Sequence, residues 1–339
     1  MKHLKTLALA LFALTSLAPM ATAGTLADVK ARGVLNCGVT TGLAGFSAPD
    51  AKGNYQGFDV AVCKAVAAAV LSDANKVKYV PLTGETRFTA LNSGEVDLLA
   101  RTTTWTYSRD TSLTSDFVAV NYYDGQGFLV RTKLGAKSVN DLNGATVCIQ
   151  RGTTTELNVA DYFKAHSLKY TPVPVADDAD GQNQYLAGAC DTFTTDASGL
   201  AAARASLPDP DNHVILPEII SKEPLSLVVR HGDNNWGDIV RWSYFALVIA
   251  EEKGVTAANA DSMLASTKDA EVKRMLGAEG EIGKMIGLDD AFMKRAIQAS
   301  GNYGEIFDAN LGEKTPLKLA RGLNALWSKG GLQYAPPIR

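Results

Sequence analysis

Two threonines and an arginine follow one predicted strand at a spacing that suits a small carboxylate. Thr102 and Thr104 lie two residues apart on an extended segment, so their side chains point to the same side. Arg109 follows five residues later, and its guanidinium can hold an anion with two parallel hydrogen bonds. The alternative is a solvated, hydroxyl-rich turn that binds nothing. The segment therefore predicts either an anion site or a polar turn.

A second hydroxyl cluster, 152–156, precedes a predicted helix over 157–163. Thr153 and Glu156 have the spacing of a capping box, in which each side chain accepts a hydrogen bond from the other residue's backbone. The first N–H groups of a helix lack intrahelical partners and attract anions. This segment thus predicts a second anion site or an ordinary helix cap.

Two parts of the sequence resemble each other in the turns that precede their polar runs. A Gly-x-x-Asp turn at 94–97 leads into the first cluster, and a similar turn at 188–191 leads into a third polar run, 192–196. The segments upstream of these turns also resemble each other and predict strand, helix and strand in succession. This alternation is typical of βαβ units on a mostly parallel sheet. Its repetition predicts two similar lobes.

The two lobes are expected to hold one ligand between them. Ligands of open α/β sheets bind at the carboxyl ends of the strands. At those ends, Arg109 belongs to the first lobe, while the helix start at Thr153 and the side chain of Asp196 belong to the second. The carboxylate and the ammonium group of one small molecule would then be bound from opposite sides.

The chain is expected to pass between the lobes twice. The first lobe spans 24–128, the second lobe spans 132–220, and 226–339 completes the first lobe with a helical C-terminal extension. One long apolar helix is predicted over 236–253, and the remainder of the chain is expected to be helical. Two crossings between lobes make a hinge and not a loose tether.

The N-terminal segment predicts export. Residues 1–23 combine two lysines, an apolar core over 7–17 and a small-residue cleavage site at 21–23, as in a secretory signal. No later segment of the sequence is long and apolar enough to span a bilayer. The first cysteine, Cys37, lies far from the cleavage site, which argues against a lipid anchor. We therefore expect a soluble, exported protein.

The composition fits two globular domains and argues against nucleic acid and metal ligands. The 339 residues are 46% hydrophobic and carry a formal net charge of −3, which allows two sizeable cores. The mild acidity and the lack of a basic stripe argue against a nucleic-acid partner. No metal site is expected, because zinc usually needs closely spaced cysteine and histidine ligands. The histidines beyond the signal are His166, His213 and His231, and they complete no such set.

Four cysteines in an exported chain predict two disulfides. Pairing Cys37 with Cys63 and Cys148 with Cys190 keeps each bridge within one predicted lobe. Four cysteines allow three pairings, so the other two stay open.

Residues from about 29 to 248 resemble the periplasmic solute-binding proteins of polar amino acid ABC transporters. The segment 57–60, Gly-Phe-Asp-Val, is similar to the signature that opens the first helix of that family. The segment 97–109 resembles its carboxylate clamp, 152–154 resembles its second-lobe helix cap, and Asp196 falls where the family keeps an aspartate for the ligand's ammonium group.

A narrower resemblance is to the general L-amino acid-binding proteins. The segments similar to their hallmarks are 101–106, 123–128, 152–158 and 216–225. The long C-terminal extension is a further similarity.

The resemblance implies a two-lobed α/β periplasmic binding protein fold, of the type II kind, with two hinge crossings. It implies the periplasmic component of an ABC transporter, which traps L-amino acids of broad specificity by hinge closure. The implied partners are free L-amino acids and an inner-membrane permease with a cytoplasmic ATPase. The protein would act as a monomer without a cofactor. Presentation of the ligand to a chemoreceptor would use the same site and stays open.

The resemblance also implies roles for individual residues. Arg109 would bind the ligand's α-carboxylate, helped by the main chain of Thr104 and by Thr154 at the helix start. Asp196 and Thr102 would bind its α-ammonium group.

One departure from the family concerns the ligand's side chain. Many relatives have a stacking aromatic on the loop after the first strand, where this chain has Leu43. This implies a tolerant pocket. Phe46, three residues further on, is a candidate contact for the ligand. Arg87 is a candidate contact for the ligand's side chain, or else a solvated charge at a helix start. Trp105 is expected to form a wall of the pocket or of the core.

The rival interpretation is an exported enzyme on the same scaffold, such as a dehydratase of arogenate or prephenate. Such chemistry needs a general acid or base placed over the substrate. The candidate segments contain threonines, one arginine and one aspartate, Asp196, which already has an ion-pairing role. The sequence therefore favours binding over catalysis.

Overall fold

The computed structural model describes residues 24–339, so the predicted signal segment 1–23 lies outside the described residues. The strands of the described range are β1 (Leu35–Val39), β2 (Ala48–Pro49), β3 (Tyr55–Gln56), β4 (Val77–Pro81), β5 (Leu98–Thr104), β6 (Ser115–Asp124), β7 (Gln126–Arg131), β8 (Ala145–Gln150), β9 (Tyr170–Val175), β10 (Thr192–Asp196), β11 (His213–Ile215) and β12 (Glu223–Arg230). The α-helices of this range are α1 (Thr25–Arg32), α2 (Phe58–Leu71), α3 (Arg87–Asn92), α4 (Tyr107–Ser112), α5 (Thr154–Ala165), α6 (Asp178–Leu186), α7 (Ala197–Ser206), α8 (Asn234–Glu252), α9 (Ala260–Ser266), α10 (Ala270–Met275), α11 (Phe292–Ser300) and α12 (Tyr303–Asn310).

Two five-stranded mixed sheets form the two lobes. The strand order is β4-β1-β5-β12-β6 in the first lobe and β11-β7-β10-β8-β9 in the second. In each sheet three strands run parallel in the manner of βαβ units, and one antiparallel strand, β12 or β7, comes directly from a crossing between the lobes. The expected two-lobed α/β fold is confirmed.

The aspartates of the two Gly-x-x-Asp turns make the same kind of contact in the two lobes. In the first lobe, the carboxylate of Asp97 accepts a hydrogen bond of 2.7 Å from the backbone N–H of Asn36. In the second lobe, the carboxylate of Asp191 accepts one of 2.8 Å from the backbone N–H of Thr146. Each aspartate thus ties the turn before one strand to the start of its parallel neighbour, which explains why the Gly-x-x-Asp turn occurs twice.

The two crossings lie side by side. Only Gly125 separates β6, in the first sheet, from β7, in the second. A Cβ atom on Gly125 would lie 2.7 Å from the carbonyl oxygen of Ser221, which belongs to the return crossing. Glycine lets the two backbones approach closely here, and the lobes are joined by a narrow double connection.

Disulfides link a strand to its neighbouring element in each lobe. Cys37 on β1 is bonded to Cys63 on α2, with their Cα atoms 6.2 Å apart. Cys148 on β8 is bonded to Cys190, just before β10, at a Cα separation of 5.6 Å. This is the pairing within lobes that the sequence favoured.

The C-terminal part packs on the first lobe and is only partly helical. Helices α8, α11 and α12 share one hydrophobic core with α2. Beyond residue 310, the chain forms only short 3₁₀ turns at 322–324 and 327–329, so the expectation of helix to the end of the chain is wrong. This stretch contains three prolines and four glycines, and these residues disfavour continuous helix. Within residues 24–339, no helix has the length and apolar character needed to cross a bilayer.

Candidate functional site

A polar pocket lies between the lobes, at the carboxyl end of β5 and the N-terminal ends of α5, α6 and α7. Six of the residues expected at the ligand site line it: Arg87, Thr102, Thr104, Thr153, Thr154 and Asp196. Leu43, on the loop after β1, also lines the pocket and is 5% exposed. The structure thus brings the two hydroxyl clusters and Asp196 together.

A kink at Thr102 decides which side chains of β5 reach the pocket. Thr102 has a φ of +42°, a left-handed conformation that is rare for a β-branched residue. Strict strand alternation would turn Arg101 away from the side occupied by Thr102 and Thr104. Because of the kink, all three line the same pocket. Strained backbone of this kind is concentrated at functional sites.

Arg109 lies beneath this strand end. Its backbone N–H donates to the side chain of Thr106, the N-cap of α4, and its Nη1 donates to the carbonyl oxygen of Thr104 at 2.9 Å. The guanidinium lies over the ring of Phe88. Burial lowers its pKa to about 10, although the nearby carboxylate of Glu223 opposes that shift. Arg109 is therefore a charge held against Thr104, next to the pocket.

Arg87 is buried and bridges the lobes. Its Nη2 donates to the carbonyl oxygen of Gly152, in the second lobe, at 3.3 Å. Its Nε is buried and has no partner among the described residues. Burial, followed by the charges of Arg101 and Arg109, holds its pKa well below the usual range. The alternative of a solvated charge at a helix start is wrong, because Arg87 is 2% exposed.

The second lobe presents the start of α5 without the expected capping box. The hydroxyl of Thr153 donates to the carbonyl oxygen of Gln150 at 2.7 Å instead of capping the helix. The carboxylate of Glu156 accepts from the backbone N–H of Gly152 instead of Thr153. Since no side chain caps this terminus in the described structure, its first N–H groups stay available to an anion.

Asp196 occupies the junction of β10 and α7. It is the N-cap residue of α7, yet its side chain accepts no capping hydrogen bond from that helix. Burial raises its pKa well above the usual range, and the negative charges of Asp124, Glu223 and Asp178 raise it further. The charge of Arg87 opposes this shift, but no ion pair of the described structure includes Asp196. A ligand's ammonium group could supply that partner.

Glu223, which the sequence interpretation missed, binds both lobes at the hinge. One carboxylate oxygen accepts from the hydroxyls of Thr104, at 2.5 Å, and Thr154, at 2.9 Å. The other accepts from Asn158 at 2.7 Å and from Ser221 at 2.6 Å. The hydroxyls of Thr104 and Thr154 are thus engaged with Glu223. The only signal for this role was an acidic residue at the start of the return crossing.

Arg101 and Asp178 also line the pocket and were not expected there. Arg101 was hidden by the assumption of regular strand alternation. Asp178 is the first residue of α6, where it resembles an ordinary acidic residue in a helix's first turn. The pocket therefore contains two carboxylates, Asp178 and Asp196, and not the single one expected from the sequence.

Two other expected contacts lie outside the pocket. Trp105 is 40% exposed and stacks on Phe117, with ring centroids 5.7 Å apart. Phe46 is fully buried in the first-lobe core, where its ring meets Tyr122 edge-on at 5.3 Å. Phe46 is used for core packing, so its expected contact with the ligand is corrected. Trp105 packs against a core residue, which is one of its two expected roles.

The lobes touch at the mouth of the pocket. A Cβ atom on Gly84, in the first lobe, would lie 2.7 Å from the carbonyl oxygen of Arg151 in the second. Beside it, the exposed side chains of Glu85 and Arg151 form an ion pair at 3.7 Å. Among residues 24–339, no group of His, Cys, Asp and Glu side chains is arranged to hold a metal ion.

Comparison with known proteins decides the family. Residues 35–284 match the bacterial extracellular solute-binding proteins, family 3. The chain belongs to this family. The match covers both lobes and ends in the C-terminal part, before α11.

Similar proteins of this family extend the likeness over nearly the whole chain. The glutamate/glutamine/aspartate/asparagine-binding protein BztA of Rhodobacter capsulatus is 68% identical over 94% of this chain and 94% of its own. The general L-amino acid-binding periplasmic protein AapJ of Rhizobium johnstonii is 56% identical over 95% of both chains. A solved ABC transporter periplasmic binding protein from Brucella ovis, with glutathione bound, is 54% identical, has a TM-score of 0.91 and covers 94% of this chain and 100% of its own.

Proposed function

We propose that this solute-binding protein is the periplasmic component of an ABC transporter that takes up free L-amino acids. The observation that carries the proposal is the division of charge across the pocket. The first lobe supplies Arg87 and Arg101, with Arg109 held against Thr104, and the second supplies Asp178 and Asp196. A zwitterion fits between a cationic wall and an anionic wall. The relatives named above are amino acid-binding proteins of the same family.

The ligand's main-chain groups have one partner set in each lobe. Arg109 binds the α-carboxylate, together with the backbone of Thr104 and the N-terminus of α5 at Thr154. Asp196 and Thr102 bind the α-ammonium group. These roles are supported by the unpaired carboxylate of Asp196, by the uncapped helix start and by the resemblance of the segment 97–109 to the family's carboxylate clamp.

Ligand capture works by closure of the two lobes about the double connection. The contacts of Glu223 with Thr104, in the first lobe, and with Thr154, in the second, support this, because they join the lobes next to the double connection. The ligand-bound monomer then docks on an inner-membrane permease with a cytoplasmic ATPase. The signal segment 1–23 is removed on export, and no cofactor takes part.

The pocket accepts several side chains. Leu43 supplies an apolar wall where a stacking aromatic would select one class of ligand. The Brucella ovis protein contains glutathione, which makes a γ-glutamyl peptide a second candidate ligand for this chain.

Catalysis is not part of the proposed function. Asp178 places a second carboxylate in the pocket, so the absence of an acid–base pair no longer argues against an enzyme. We expect binding without catalysis because the relatives are named as binding proteins. We expect the protein to leave arogenate and prephenate unchanged, and measurable dehydration of either would favour the enzyme.

A thermal-shift screen tests the proposed function. Ligand-stripped protein is mixed with each common L-amino acid, its D-isomer and glutathione. A ligand that binds only the folded state at about 100 times its Kd adds about 2.7 kcal/mol of stability. We expect several L-amino acids to raise the melting temperature, and their D-isomers to raise it much less. No shift with any L-amino acid would refute the proposal.

A further inference from the structure

Arg101 directs an unsatisfied guanidinium into the pocket. Its Nε donates to the carbonyl oxygen of Leu82 at 2.9 Å, which fixes the side chain, and the residue is 4% exposed. Among the described residues, none accepts a hydrogen bond from its two terminal nitrogens, although a guanidinium has five N–H donors. The buried guanidinium of Arg101 is fixed in place and has N–H groups left to bind a polar group of a ligand.

Asp178 faces Arg101 from the other lobe. It is 9% exposed at the start of α6, and the capping role there belongs to its neighbour Asp177, which accepts from the backbone N–H of Asp180 at 2.9 Å. The charges of Arg101 and Asp178 influence each other, yet the described structure contains no ion pair between them. The two groups therefore flank a gap at the pocket wall.

We propose that Arg101 and Asp178 form a subsite for the polar end of the ligand's side chain, and that this end is an amide or a carboxylate. This rests on the proposed function, because Arg109 and Asp196 must already hold the ligand's main-chain groups. An amide end matches both partners: its carbonyl oxygen accepts from Arg101, and its NH₂ group donates to the carboxylate of Asp178.

A carboxylate end fits the same gap once Asp178 carries a proton. Protonated Asp178 donates its O–H to the ligand, while Arg101 pairs with the ligand's charge. The groups facing Asp178 are Arg101 on β5, Asp177 beside it and Asp196 at the start of α7. Burial is the main cause of its raised pKa, the charge of Asp177 adds to it and the charge of Arg101 opposes it. The protonation state of Asp178 thus determines the relative affinity of the subsite for glutamine and glutamate.

The test compares L-glutamine, L-glutamate and L-methionine by isothermal titration calorimetry between pH 6 and 8.5. Methionine matches glutamine in length but lacks a polar end, so we expect wild type to bind it at least about tenfold more weakly. Binding of glutamate takes up a proton at Asp178 and binding of glutamine does not. The glutamate-to-glutamine affinity ratio should therefore rise as the pH falls, by up to about tenfold per pH unit.

Asp178→Asn is the decisive variant, because it keeps the shape and leaves the cap at Asp177 intact. For this variant we expect a glutamate-to-glutamine affinity ratio that is higher than that of the wild type and that does not change with pH. Asp180→Asn, on the same helix but outside the pocket, should behave as wild type. Arg101→Lys keeps the charge without the fork, and should weaken glutamine and glutamate more than methionine.

The outcomes separate this subsite from the proposed function. A pH-dependent ratio that persists in Asp178→Asn, or equal losses for all three ligands in both variants, would overturn the subsite. Wild type that binds methionine as tightly as glutamine would also overturn it. Wild-type protein that binds none of the three, and whose melting temperature shifts with no other L-amino acid, would refute the proposed function instead.

Discussion

Arg109 is expected to act on every ligand alike, because it meets the α-carboxylate that all amino acids share. Arg109→Ala removes one partner of a buried charge pair and should weaken binding by about 2–5 kcal/mol. Calorimetry with an acidic, an amide and an apolar amino acid measures the loss. A loss confined to one side-chain class would place Arg109 in the side-chain subsite.

Asp196 should make binding depend on pH. In the empty protein, burial and neighbouring carboxylates raise its pKa, and a bound ammonium group stabilises the ionised form. Binding therefore releases a proton, and affinity should increase with pH up to the pKa of the empty site. Proton release is measured by calorimetry in buffers of different ionisation enthalpy. Asp196→Asn should bind weakly and lose this release; unchanged proton release would contradict the assignment.

Individual pocket residues could be predicted where residue type and position next to a strand or helix end were enough. The hydroxyl clusters and Asp196 reached the pocket because each follows a strand or precedes a helix at the sheet edge. Arg101 was missed because only the left-handed backbone of Thr102 brings it round. No local pattern encodes that kink, which lies where the pairing of β5 with β12 is irregular.

At the scale of elements, Gly84 limits how closely the lobes can approach. Its φ is not in the left-handed region, so alanine fits the backbone, but the new Cβ would lie 2.7 Å from the carbonyl oxygen of Arg151. Gly84→Ala should leave the stability of the ligand-free protein unchanged and weaken binding by about 1–3 kcal/mol, the usual cost of overpacking.

A matched glycine provides the control for this prediction. Gly237, inside α8, has its nearest neighbour at 3.4 Å from an added Cβ, so Gly237→Ala should not affect affinity. Small-angle scattering with saturating ligand should show Gly84→Ala less compact than wild type. Equal compaction and equal affinity would show that the Gly84 contact does not control closure.

The disulfides should stabilise each lobe separately. Non-reducing peptide mapping should recover Cys37 joined to Cys63 and Cys148 joined to Cys190. Replacing both Cys148 and Cys190 by serine should cost about 2–5 kcal/mol of unfolding free energy, measured by denaturant titration. A bridge between the lobes in the mapping would contradict this account, since it would oppose the hinge.

Strands and helices could be predicted where the sequence shows periodicity and repeated turns. They could not be predicted where tertiary contacts determine the path of the chain. The twofold Gly-x-x-Asp turn indicated both sheets. The segment 311–339 could not be predicted, because its path depends on distant contacts. Asn324 illustrates this: its side chain bonds both the N–H and the carbonyl oxygen of Tyr123 on β6, at 2.7 and 3.0 Å.

At the scale of the whole molecule, the distribution of charge and the double connection between the lobes favour closure of the lobes around a ligand. The cationic residues of the pocket lie in the first lobe and the free carboxylates in the second, so neither lobe alone offers a complete site. The two crossings meet at Gly125 and Ser221, close to Glu223, which bonds both lobes. A zwitterion supplies the charges that stabilise the lobes in contact.

Calorimetry of the ligand-stripped protein with L- and D-glutamine tests this account most directly. Inversion at Cα cannot satisfy Arg109, Asp196 and the side-chain subsite together, and one unpaired buried group costs about 1–3 kcal/mol. We expect one molecule of L-glutamine to bind per chain, and D-glutamine to bind at least about tenfold more weakly. Equal affinity for the two isomers, or no binding of either, would contradict it.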